Sequence, residues 1–178
     1  MNAIDCIKGR RSIREFTAEP VSHELIEQIV DVARFAPSWK NTQISRYIAL
    51  EGALKDRVCA ECVGEWNAGI IGRAPMLIVQ TFVRNRSGFE RDGSFTTSKE
   101  DRWQNYDAGI AAEAFCLAAH DAGLGTVIMG IFEEDKVASV LSLPEDQGVA
   151  ALIAIGHPAS NPEAPKRKEV SELLQFKS

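Results

Sequence analysis

Residues Trp103–Phe132 read WQNYDAGIAAEAFCLAAHDAGLGTVIMGIF, and this stretch sets the frame for the rest of the chain. Trp103 to Ala122 predicts one long helix. It is loaded with small side chains (Ala108, Gly109, Ala111, Ala112, Ala114, Ala118, Ala119), and small side chains let a helix approach its neighbours closely, which puts this helix at the centre of the fold. Gly123 supplies the usual stop, because glycine takes the left-handed conformation without a Cβ penalty. The pattern then turns to a β-type run over Gly125–Met129, and a short helix is predicted over Glu133–Leu141. Between them stands Gly130. A glycine where a strand ends lets a flat ligand approach the backbone, and free N–H groups there could reach a ring nitrogen. Glycines also punctuate ordinary turns, and the segment alone leaves both readings open.

Working outward, Met76–Phe82 (MLIVQTF) and Val149–Ile155 read as buried strands, and Arg46–Leu50 as a shorter one. Ser22–Ala36 predicts an amphipathic helix, capped by Ser22, with Leu25, Ile26, Ile29, Val30 and Ala33 on one stripe and Pro37 beyond its end. Ala53–Gly64 predicts another. Residues 88–100 are polar and irregular, long enough to suspect a lid. The aromatic rings of Phe89 and Phe95 within them either cover a ligand or plug the core. Pro158–Pro165 is an extended connector with three prolines, leading to Lys166-Arg167-Lys168 and an apolar end at Val170, Leu173, Leu174 and Phe176. Long helices with a few strands, and no strict alternation, predict an α+β fold. We expect one domain over residues 1–178, with 158–178 as an extended C-terminal tail.

Composition narrows the function classes. The 178 residues carry a formal net charge of −5 and are 45% hydrophobic. That balance suits a globular chain with a core and argues against non-specific nucleic-acid binding. No apolar run is long enough to span a membrane, and the N-terminus lacks the apolar centre of a signal peptide. The expected compartment is therefore the cytoplasm, with the four cysteines as thiols.

Four short stretches carry candidate chemistry. Arg10-Arg11-Ser12-Ile13-Arg14 places three guanidinium groups and a hydroxyl together, the donors that clamp phosphate, although such a run is also what a solvated basic turn looks like. Pro37-Ser38-Trp39-Lys40-Asn41-Thr42-Gln43 joins a helix to a strand and offers amides and hydroxyls that both donate and accept, or is an ordinary capped loop. Met129-Gly130-Ile131 is the strand end already described. Lys166-Arg167-Lys168 could close an anion site from the far end of the chain.

These pieces together resemble the nitroreductase family of FMN enzymes. The match lies in RRSIREFTAEPVS from Arg10, ARFAPSWKNTQ from Ala33, YDAGIAAEAFCLAAHDAGLGTVIMGIF from Tyr106, IAIGHP from Ile153 and RKEVSELL from Arg167, in family order over nearly the whole chain. The resemblance implies a nitroreductase-like fold. Its central, mostly antiparallel sheet is flanked by helices, in an intertwined homodimer whose FMN sites lie between subunits and whose tail crosses to the partner. It implies that Arg10 and Ser12, with Arg11 near, hold the FMN phosphate, and that Arg14 lies by the pyrimidine edge. Arg167 would add a phosphate contact. Pro37, Ser38 and Asn41 would pack on the flavin from the partner, Gln43 belongs to the same motif, and Asn67 matches an asparagine at the flavin edge. Met129, Gly130 and Ile131 would bring a backbone N–H to flavin N5. It implies hydride transfer from NADH or NADPH to a small-molecule acceptor such as a nitroaromatic or quinone, one site serving both in ping-pong fashion.

Other chemistries on the same fold, oxidase or dehalogenase, and a non-turnover flavin-binding redox sensor are the rival readings. The chain departs from the family where Ile44-Ser45 replaces a common Pro-Trp and where Trp39 and Lys40 replace smaller residues. Trp39 could narrow access or stack on a substrate. Cys59 and Cys62 form a C-x-x-C without a second pair, and Cys116 and His120 could join them only as a remote possibility. No metal is expected. His157 reads as structural and His23 as exposed.

Overall fold

The computed structural model describes residues 1–177. Along the chain come α1 (Ala3–Gly9), α2 (His23–Ala33), a 3-10 turn (Trp39–Asn41), β1 (Ser45–Leu50), α3 (Gly52–Glu61), α4 (Glu65–Arg73) and β2 (Met76–Val83). Then follow α5 (Arg102–Asp121), β3 (Gly125–Met129), α6 (Glu134–Leu141), β4 (Gln147–Gly156) and α7 (Val170–Leu173). The strands form one sheet in the order β1-β2-β4-β3, each pair antiparallel. The fold is α+β, as expected.

The two inner strands, β2 and β4, read as continuous apolar runs because both of their faces are covered. On one face Leu77, Val79, Leu152, Ala154, Val127 and Met129 pack against Val58 of α3, Ile70 and Ile71 of α4 and Val137 of α6. On the other, Met76, Ile78, Ile153 and Ile155 pack against Ile29 and Ala33 of α2 and Phe115 and Ala119 of α5. Each Val, Leu, Ile, Met or Phe side chain so removed from water stabilises the fold by roughly 1.5–3 kcal/mol, and each alanine by less. α5 carries its small residues onto this second face. It is also held by polar groups of the sheet: Gln80 Nε2 donates to Ala108 O at 2.8 Å and the Tyr47 hydroxyl to Ala111 O at 3.2 Å. Gly123 has φ +82°, the left-handed stop that the sequence predicts.

α2 and α3 each end three residues before the sequence expectation, at Ala33 and Glu61, and one further helix is present. α2 ends at Ala33 rather than Ala36, because Pro37 disfavours helical geometry in the residue before it, and Phe35 and Ala36 instead close tighter turns onto Val32 O and Ala33 O. α4 is an unpredicted helix. Its two glycines, Gly69 and Gly72, weaken it intrinsically, and burial of Ile70 and Ile71 holds it.

The segment after α1 lies on the sheet edge. Ser12 forms a parallel bridge with Thr126, and Ile13 N donates to Thr126 O at 2.9 Å. Gly125 permits this approach, since a Cβ there would stand 2.6 Å from Ile13 Cγ1. Ile13 and Phe16 are buried, and Phe16 bridges Pro158. His157 is structural here, its carbonyl accepting from Thr17 N at 2.9 Å. Beyond Ala159, whose N–H donates to Glu15 O, every described residue is exposed. Val170, Leu173, Leu174 and Phe176 show 70%, 71%, 49% and 92% of their surface.

Residues 88–100 contain no helix or strand, but Phe89 and Phe95 pair as a short bridge with their rings 4.9 Å apart. They pack on each other, Phe95 half exposed, rather than plugging the core. No helix among the described residues is long and apolar enough to cross a membrane.

Candidate active site

Arg10 ends α1 and points toward α5, where its Nε lies 3.5 Å from Glu113 Oε1, buried and without a hydrogen-bond partner. Arg11 folds back over the end of α1, one guanidinium nitrogen donating to Lys8 O, Gly9 O and Arg10 O at 2.7, 3.1 and 2.9 Å. This satisfies helix-end carbonyls, a use the sequence did not signal. Arg10 and Arg11 line a hollow of about 270 Å³ with His120 and Thr126. Ser12 is fixed by its bridge to Thr126. Arg14 is exposed, and its carbonyl accepts from Arg73 on α4 at 3.4 Å.

That contact links the Arg10–Phe16 segment, a strap along the β3 edge, to a second group. Asn67 of α4 is buried and donates from Nδ2 to Ile131 O at 2.8 Å. Met129 is buried under the sheet, whereas Gly130 and Ile131 are exposed and line a hollow of about 500 Å³ with Cys62, Gly64 and Lys136. Among the described residues, neither the Gly130 nor the Ile131 N–H reaches a hydrogen-bond acceptor. A Cβ on Gly130 would meet nothing within 4 Å, and its φ is not positive. Neither packing nor backbone conformation demands a glycine there, so the turn combines open space at the Gly130 Cβ position with two N–H groups that have no acceptor among the described residues.

Pro37, Ser38 and Asn41 lie elsewhere, at the β1 edge. Following the register from Met129 through Leu152 and Val79 to Ile48 crosses three strand spacings, about 14 Å. Pro37, Ser38 and Gln43 line a cavity of about 730 Å³ with Tyr47, Asp107 and Ala111. The loop is unusual: Lys40, Asn41 and Gln43, none of them glycine, have φ of 43°, 55° and 50°. Ser38 Oγ accepts from Gln43 N at 2.9 Å. Trp39 packs against Trp103 with centroids 4.6 Å apart and planes tilted by 43°, and Trp103 meets Tyr106 edge-on. Lys40 pairs with Glu90, tying this loop to the 88–100 segment.

Among the described residues Arg167 bonds only Pro165 O, within the tail, and this contact does not bring it to Arg10. The expected residues therefore fall into two linked groups at the β3 edge, one at the β1 edge and one in the tail. Asp107 is the functional candidate that sequence reading missed. It sits on the α5 stripe with Gln104, Ala108, Ala111 and Ala112, all buried, and an acid on such a stripe was the available signal.

The cysteines are structural. Cys62 is fully buried, Cys59 Sγ donates to Ala68 O at 3.3 Å, and burial pushes both thiols up from their ordinary pKa. Cys116, against the sheet, is pushed up by burial to about 11. Among the described residues no three His, Cys, Asp or Glu side chains are grouped to hold a metal.

The model of the Nitroreductase family matches this chain over residues 7–68 and 61–157, which includes the strap, the 37–43 loop, α5 and β3. The chain belongs to the nitroreductase family. A protein of Methanothermobacter thermautotrophicus with the provisional name NADH dehydrogenase/NAD(P)H nitroreductase is 32% identical over 168 residues, 91% of this chain and 80% of its own length. A Vibrio harveyi NADPH-flavin oxidoreductase is 29% identical over 93% of this chain and 70% of its own. Among solved structures, an FMN complex from Desulfovibrio desulfuricans, itself provisionally called a nitroreductase, superposes with TM-score 0.80 at 28% identity, covering 100% of this chain and 98% of that one. The nitroreductase fold and the family expected from the sequence are the ones found.

Proposed function

We propose that this nitroreductase is an FMN-dependent oxidoreductase that takes hydride from NADH or NADPH and delivers it to small acceptors such as nitroaromatics or quinones, as a cytoplasmic homodimer. FMN, when bound, supplies a ring that accepts and gives hydride at N5. The observation that carries the reading is the Gly130–Ile131 turn, with two free N–H donors beneath space that no packing requires.

The chain's own residues would then divide the work. Arg10, whose Nε lies beside Glu113 but lacks a hydrogen-bond partner, Ser12 and Arg167 would bind the phosphate, with Arg11 shaping the strap beneath them. Arg14 would hold positive charge at the pyrimidine edge, a preorganised electrostatic role. Asn67 would stand at the flavin edge, held in place by Ile131 O. Pro37, Ser38 and Asn41 would cover the ring from a second copy, because they sit on the opposite sheet edge from the strap. The exposed apolar tail supports the same arrangement, since its side chains lack a surface in one protomer. The raised thiols of half-buried Cys59 and buried Cys62 argue against the sensor alternative.

The test is the visible spectrum of the purified protein together with its elution volume. A yellow dimer that bleaches with NADH or NADPH is the expected result. A yellow dimer that does not bleach would favour the oxidase or dehalogenase reading, and a colourless monomer that ignores added FMN would sink the proposal.

A further inference from the structure

The loop over residues 38–43 holds three non-glycine residues in the left-handed region within four positions. Each carries a Cβ penalty that L-residues normally avoid, and such geometry persists only where the surroundings over-determine it. The loop's own bonds are few: Ser38 Oγ with Gln43 N, and the turn bonds Asn41 N to Ser38 O and Thr42 N to Trp39 O. Lys40 pairs with Glu90 and Arg46 donates to Gln43 O, both at the exposed surface, and the buried anchor comes from α5. Asp107 Oδ2 accepts from Trp39 N at 2.9 Å and from Ser87 Oγ at 2.6 Å, and the Ser87 and Thr42 hydroxyls lie 2.6 Å apart. Asp107 is 3% exposed and Ser87 0%.

Among the described residues Asp107 has no ion-pair partner, so this carboxylate is buried on hydrogen bonds alone. Burying a carboxylate is costly, and an apolar residue would seat a helix on a sheet at least as well. The group is explained by what it holds. We propose that Asp107 is a positioning residue: it reaches from the central helix to fix the left-handed 38–43 loop, and through that loop it sets where Ser38 and Asn41 meet the cofactor. This rests on the reading above, in which those two residues face FMN. In this role Asp107 acts through the backbone of Trp39 and the hydroxyls of Ser87 and Thr42.

The test compares Asp107→Asn with the wild-type chain, by amide hydrogen exchange and by FMN titration followed through flavin fluorescence. Exchange at Trp39 and Gln43 should speed up by about tenfold, a 1.4 kcal/mol change, while α5 and β2 keep their protection. The FMN dissociation constant should rise by a similar factor. Adding Lys40→Gly should restore part of both losses, because glycine adopts the φ of 43° at position 40 without a Cβ clash. Ser87→Ala is the gentler variant should Asp107→Asn fold poorly, with the same pattern at about threefold.

Faster exchange spread evenly over α5 and β2 would make Asp107 a packing residue only and overturn the inference. So would an unchanged loop with unchanged FMN affinity, or a Lys40→Gly chain that restores nothing. A wild-type chain that binds no FMN overturns the cofactor reading instead, and with it the second half of this inference. The exchange measurement then still decides whether Asp107 holds the loop.

Discussion

The strap over Arg10–Phe16 and the tail beyond Ala159 are both short, both basic and both assigned a phosphate contact, yet they are built in opposite ways. The strap is a folded part of its own protomer. Ile13 and Phe16 are buried, Ser12 is bridged to Thr126, and Gly125 is shaped to receive it. The tail is held at its root, by Pro158 and Ala159, and displays its apolar side chains to solvent. A segment that carries its own core contacts is fixed before any partner arrives. On the proposed reading, a segment with four large exposed apolar groups and one helical turn would obtain its fixed position from a second surface. One anion site fed from both would be half preformed and half conditional on assembly.

The sharpest way to break the comparison is to remove the tail. Truncation after Ala159 should leave a folded chain, since nothing in the two core layers lies beyond that point. Burying Val170, Leu173, Leu174 and Phe176 on a partner would contribute on the order of 6 kcal/mol, so the truncated protein should sediment as a monomer and lose FMN affinity by at least about 100-fold. A truncated dimer with intact affinity would show that the tail has no such task.

A smaller effect is expected at the strap. Gly125→Val places carbon where Ile13 Cγ1 stands 2.6 Å from the Cβ position, and overpacking of this kind costs roughly 1–3 kcal/mol. The melting temperature should fall and FMN affinity should drop about tenfold, while sedimentation still reports the dimer. Loss of the dimer along with affinity would mean that strap and tail are not separable.

The smallest effect is chemical. Cys116 lies beneath the strap, beside Thr126, Glu113 and Arg10, and burial raises its thiol from 9.0 to about 11. The folded state therefore retains this proton where the unfolded chain has lost it. The stability contributed is complete below pH 9 and is lost as pH climbs through about 11, up to roughly 2–3 kcal/mol. Urea midpoints measured from pH 8 to 11 should fall more steeply for the wild type than for Cys116→Ala. Equal slopes would remove Cys116 from the account.

Much of this fold is legible in the chain itself, and the exceptions have physical causes. α5, Gly123 and β3 follow from the run of small residues, the left-handed stop and the β-type pattern that succeeds it. β2 and β4 follow from continuous apolar runs that only doubly covered strands carry. α4 was hidden because Gly69 and Gly72 depress local propensity, and the burial of Ile70 and Ile71 that stabilises it is a tertiary effect. At the site, the residue types of the strap and of the 37–43 loop announce hydrogen bonding to an anion and to a ring. Their placement on opposite sheet edges does not, because strand order is a long-range property. The turning of Arg11 onto the α1 carbonyls, the pairing of Arg10 with Glu113 and the reach of Asp107 to Trp39 are likewise contacts between distant parts of the chain.

The bonds from Gln80 and Tyr47 to the carbonyls of Ala108 and Ala111 bear on how this chain can change over generations. A helix face lined with alanines is smooth, and on a smooth face one register resembles the next. These two donors index it, so that Asp107 meets the loop on one side and Glu113 meets Arg10 on the other. Inserting or deleting a single residue between Asp107 and Glu113 would turn one of these groups about 100° away from its partner. Lineages descended from this chain are free to lengthen α5 at either end, but between those two acids its residue count is frozen.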